Sequence, residues 1–125
     1  MKLVLFFIAL FNMSLYSQSY ESNINDDYLN SGIVDYYINL GTNKLSWNRA
    51  ETTLKLKLGD ILRIHNKDLI DHQLHTNGKP CPHGARIKPG DFFDCVVTKT
   101  YNEKNDGPIY DHLYGRNARF YLQVD

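Results

Sequence analysis

Residues 54–72 read LKLKLGDILRIHNKDLIDH, and this stretch decides the fold. Leu54, Leu56 and Leu58 alternate with lysines, a period of two that puts all three leucines on one face of a strand. Gly59-Asp60 is a turn signal. Residues 61–66 then alternate again, with Leu62 and Ile64 sharing a face. Two alternating strands around a tight turn predict a sheet with one buried side.

The same punctuation extends in both directions. Upstream, residues 34–40 (VDYYINL) form a β-prone run that ends at Gly41. Downstream, Gln73-Leu74-His75 predicts a short strand leading to an Asn77-Gly78 turn. Residues 80–84 (PCPHG) must be a loop, because prolines neither continue a helix nor donate to a central ladder. Pro89-Gly90 is a further turn, and residues 92–98 are strand-like. Residues 101–108 are polar and turn-rich. At the end of the chain, Ala118, Phe120, Leu122 and Val124 alternate inward. No segment holds a helical period over about 11 residues. The expected class is all-β, an antiparallel β-sandwich of Greek-key type.

The first residues stand apart from this pattern. Lys2 precedes the apolar run at residues 3–11 (LVLFFIALF), and Ser14, Ser17, Gln18 and Ser19 follow it. That order of charge, apolar stretch and small residues is a secretory signal peptide. The run falls short of the roughly 20 residues that span a bilayer, so no membrane span is expected in the mature form. The domain plan is a leader at residues 1–18, a loose arm rich in Asn, Asp and Ser at 19–32, and one domain at 33–125. The compartment is secreted or periplasmic.

Charge and composition narrow the function classes. Lys plus Arg and Asp plus Glu both number 14 in the 125 residues, and losing Lys2 with the leader leaves a net of −1. Nucleic acid is therefore not the expected partner, since phosphate binding normally needs a basic excess. Nine tyrosines and six phenylalanines supply a small β core and exclude a disordered chain. Both methionines, Met1 and Met13, lie in the leader.

The order of residues 54–72 resembles the first half of the cupredoxin copper site. There a Gly-Asp turn leads to an Asn-x-Asp-x-x-x-His stretch, matched here by Asn66, Asp68 and His72. Residues 88–92 (KPGDF) are similar to that family's Pro-Gly turn, and residues 120–124 (FYLQV) to its closing strand. The resemblance implies a β-sandwich with copper at one end, used for electron transfer, with His72 as the first ligand. The remaining ligands would come from a Cys, a His and a Met in the loop before the last strand. That loop, residues 108–118 (PIYDHLYGRNA), offers His112, with Asp111 or Tyr110 beside it, and neither sulfur ligand.

Chemistry then departs from the family. A blue-copper site needs a thiolate, two imidazoles and a weak axial ligand. The sulfur inventory argues against one and moves the expected site to His72, His83 and His112, a set suited to copper, with zinc as the alternative. Asp111 is expected to orient an imidazole through its free ring N–H. Odd spacing sends His75 to the strand face opposite His72, which ranks it below the others. His65 shares a face with Arg63 and is expected at the surface.

Cys81 and Cys95 admit two exclusive readings. In an exported domain they form a disulfide, closing a loop of about 15 residues and contributing about 3 kcal/mol. Alternatively, Cys81 is a free thiolate that rebuilds a thiolate–copper site with His72. The leading function is an exported copper-binding protein with a redox or copper-handling role, served by a redox or copper-exchange protein partner. A metal-free interaction module that uses Tyr110 and Tyr114 is the second. A small metalloenzyme is the third.

Overall fold

A computed structural model describes residues 32–41 and 46–125, and residues 33–125 form one compact unit. The expected leader and the arm up to residue 31 lie outside the described residues. Among the described residues eight strands run in order: β1 (Ile33–Ile38), β2 (Leu54–Leu56), β3 (Ile61–Asn66), β4 (His72–His75), β5 (Arg86–Ile87), β6 (Phe92–Val96), β7 (Tyr110–Asp111) and β8 (Leu122–Val124). A 3-10 turn at Ala50–Thr52 precedes β2, and a single helical turn, α1 (Glu103–Asp106), fills the segment expected to be turn-rich.

The strands form three small sheets, ordered β1-β3-β6, β2-β8 and β5-β4-β7. The expected antiparallel pairing holds for β3–β6, β4–β5 and β4–β7. The β1–β3 and β2–β8 pairs run parallel. Parallel neighbours need long crossovers, and both pairs are separated by more than a hairpin turn.

Periodicity explains the core. Leu62, Ile64 and Asn66 of β3 are buried while Arg63 and His65 face outward. Ala118, Phe120, Leu122 and Val124 are all buried, as their alternation requires. Phe120 packs between Tyr36 and Trp47, at ring-centroid distances of 4.8 and 5.0 Å. Burying a side chain of this size contributes about 1.5–3 kcal/mol. Leu58 departs from its expected face and lies half exposed. The cause is local: the Asp60 carboxylate accepts from the Lys57 N–H at 2.8 Å, and Gly59 takes φ +90°, so the strand ends at Leu56.

Buried polar groups decide how the loop before β4 is held. The Asn66 amide donates to the carbonyls of Ile70 (2.7 Å) and Ile87 (2.9 Å), and its side-chain oxygen accepts from the Asp68 N–H at 2.9 Å. Asp68 in turn accepts from the Leu40 N–H at 2.9 Å. The Asn-x-Asp pattern thus ties residues 66–71 to β1 and β5. Cys81 and Cys95 are joined in a disulfide with Cα atoms 5.6 Å apart, which removes the free-thiolate reading of Cys81.

Candidate metal centre

The site is built on the outward face of β4. Along this strand His72 and Leu74 point into the core, whereas Gln73 and His75 point outward. β7 pairs with β4 so that Tyr110 sits opposite His75 and Asp111 opposite Leu74. His112 follows directly, its N–H donating to the Gln73 carbonyl at 2.8 Å.

The third histidine arrives on the 80–84 loop, which is clamped from several sides. Thr76 Oγ1 donates to the Cys81 carbonyl at 2.7 Å, and the Thr98 N–H donates to the Pro80 carbonyl at 3.1 Å. The Gly84 N–H donates to the Leu74 carbonyl at 3.0 Å. A Cβ at position 84 would sit 3.1 Å from both Leu74 Cβ and Leu74 O, a contact tight enough that a side chain here would push the loop or the strand apart by a few tenths of an ångström. These contacts carry His83 to His75.

His75, His83 and His112 converge, with one nitrogen from each ring within 4.8 Å of the others. His75 Nδ1 and His112 Nδ1 are 3.2 Å apart. The His83 ring lies edge-on to both, with centroids at 4.9 Å from each. Tyr110 stacks on the other side of His75 at 4.2 Å. Metal–nitrogen bonds of about 2.0–2.1 Å place ligand nitrogens at most about 4 Å apart. His83 and His112 are exposed, so small ring rotations close the remaining gap. Burial lowers the His75 pKa, and the neighbouring His83 and His112 lower it further. A neutral ring is the form a metal requires.

His72 lies in the core, outside the outward trio. It has no solvent exposure, and both ring nitrogens face carboxylates: Nδ1 to Asp111 at 2.5 Å and Nε2 to Asp68 at 2.8 Å. Burial lowers its pKa, but hydrogen bonds and charge from Asp111 and Asp68 outweigh that, and the net shift is upward. Both ring nitrogens of His72 are thus engaged by carboxylate oxygens rather than turned toward the outward trio. Asp111 does orient an imidazole, but that of His72. The residue at the family's first ligand position thus has its ring nitrogens on carboxylates, whereas the outward trio brings three ring nitrogens to one point.

His75 was the missed residue. Alternation places it on the strand face opposite His72, and that outward face is where the three imidazoles meet. The signal was Leu74, the apolar residue of the strand, which marks its own face and that of His72 as inward. Gln73 also went unremarked, although its Nε2 donates to the Gly84 carbonyl at 2.9 Å and lies 3.4 Å from His83 Nε2. His65 stays apart on the outer face of β3, paired with Asp35 at 2.7 Å.

This strand order, with a closing strand behind a histidine-bearing loop, is a divergent cupredoxin-like fold. Among solved structures the chain is similar to a copper(I) amicyanin carrying a methionine-to-alanine substitution, at TM-score 0.55 and 18% identity, covering 75% of this chain and 83% of that one. It is similar also to an oxidised amicyanin with a proline-to-alanine substitution, at TM-score 0.54 and 17% identity over the same shares. No protein-family model and no curated protein matches the sequence.

Proposed function

We propose that this is an exported copper-binding protein whose ion is held by His75, His83 and His112, and whose role is copper handling. The convergence of these three imidazoles carries the proposal. Divalent copper outranks zinc at nitrogen sites, which favours copper with zinc as competitor. Both cysteines are consumed in the disulfide and no methionine follows Met13, so the ion would lack the sulfur ligands of blue electron-transfer sites. An ion on His83 and His112 would face solvent, where a copper-exchange protein reaches it. Among the described residues no helix is long and apolar enough to cross a membrane. Export rests on the charged and apolar N-terminal pattern alone.

The test is copper titration of the purified protein with metal analysis and EPR. One copper per chain, a nitrogen-rich spectrum and no intense band near 600 nm are expected from the absence of thiolate. Alanine at His75, His83 or His112 should weaken binding at least tenfold, whereas His65→Ala should not. No uptake of copper or zinc would leave the metal-free interaction module, for which exposed Leu69, Ile70 and Tyr114 are the contact candidates.

A further inference from the structure

One buried unit lies beside the three histidines without contributing a ligand. The Asp111 carboxylate is fully buried and accepts four hydrogen bonds. Oδ2 takes His72 Nδ1 at 2.5 Å and the Trp47 indole N–H at 3.1 Å. Oδ1 takes the backbone N–H of Gln73 at 3.2 Å and that of Leu113 at 3.0 Å. The two oxygens of a carboxyl group offer about four acceptor sites, and all four are approached here.

The four donors come from three separate parts of the chain. His72 and Gln73 belong to β4, Trp47 to the segment before β2, and Leu113 to the turn after β7. Position 112 is bracketed as a result. The residue before it owns the carboxylate, the residue after it donates to that carboxylate, and its own N–H bonds β4. The backbone of His112 is thereby fixed against the strand that presents His75.

We infer that Asp111 is the positioning residue of the three-histidine centre, setting the His112 backbone so that its imidazole faces His75 before an ion arrives. This rests on the function proposed above. A ligand set held in place ahead of binding loses less conformational freedom when the ion arrives. A carboxylate is required because the nearly isosteric amide of asparagine has one accepting atom and cannot serve donors on both sides.

The test compares copper(II) dissociation constants and EPR spectra at temperatures where every variant is folded. Asp111→Asn should bind ten- to a hundredfold more weakly, the usual range for residues behind the ligands, and change the copper hyperfine pattern. Leu56→Ala, in the β2 core, serves as the stability control: a lower Tm with wild-type affinity and spectrum. Trp47→Phe removes one donor and keeps the carboxylate. It should show a smaller loss in the same direction, and it decides the matter if Asp111→Asn does not fold. Folded Asp111→Asn with wild-type affinity and spectrum overturns the inference alone. So does Leu56→Ala losing as much affinity as Asp111→Asn, or, should the latter not fold, wild-type binding by Trp47→Phe. A wild-type protein that takes up no copper overturns the three-histidine reading and the inference with it.

Discussion

His72 Nδ1 lies 2.5 Å from Asp111 Oδ2, and neither residue has any solvent exposure. Asp68 closes the other side of the ring at 2.8 Å. The Trp47 indole crosses edge-on at 5.9 Å, with its N–H on the same carboxylate oxygen. Tyr36 donates to the Trp47 carbonyl, and burial pushes its pKa up to about 12, so it remains a neutral donor at any ordinary pH. A buried imidazole bracketed by two carboxylates thus stands where the cupredoxin resemblance places the first copper ligand.

The upward shift at His72 makes stability depend on pH. The His72 pKa is raised in the folded protein, so the native state holds this proton more tightly than the unfolded chain. The contribution is complete below the unfolded value of about 6.5 and disappears as pH rises through the folded value. Urea midpoints of wild type and His72→Gln, compared from pH 6 upward, should converge with increasing pH. Curves that stay parallel would mean that His72 is neutral in the native state.

The sequence made the fold legible wherever a strand was long enough to show its period. Residues 61–66 and the 118–124 alternation match their burial. β5 and β7 have two residues each, too few to express a period, and both went unseen. Trp47 sits in no alternating run, yet it is buried and bonded to Asp111. Of the candidate site, His83 and His112 were legible and His75 was not. The family order of Asn66, Asp68 and His72 drew attention to a ring whose nitrogens are taken by Asp68 and Asp111. That Asp111 meets this imidazole is settled by pairing between β4 and β7, and no local signal reports that pairing.

Gly84 is the tightest point of the loop that carries His83. Alanine there must push either its own backbone or that of Leu74, since both contacts at 3.1 Å involve atoms fixed by the strand. Gly84→Ala should cost about 1–3 kcal/mol, in the range of overpacked sites. Copper affinity should fall with it, because the displaced loop withdraws His83. Chemical denaturation and copper titration of the same sample check both effects, and unchanged affinity would separate His83 from the centre.

The disulfide should act on the same loop from its other side. Cys81 stands two residues before His83 and is tied across 14 positions to Cys95 on β6. Replacing both cysteines by serine should lower stability by about 3 kcal/mol through the freed unfolded chain. Thermal melts in oxidising and reducing buffer give the same comparison without mutation. Equal melting temperatures under both conditions would contradict it.

Copper removal provides the most direct reading of the centre. An ion that binds only the folded chain stabilises it by about 2.7 kcal/mol at a free concentration one hundred times Kd. Tm should therefore rise with added copper and return to the metal-free value on chelation. Protons compete for the same nitrogens. Burial, and then the proximity of His83 and His112, lower the His75 pKa, so this ring stays neutral where an ordinary histidine is half protonated. The copper-induced rise in Tm should shrink as pH falls, because protons compete with the ion for the ligand nitrogens. A rise that is independent of pH at a fixed, subsaturating copper concentration would count against histidine nitrogens as the ligands, since their binding must release protons.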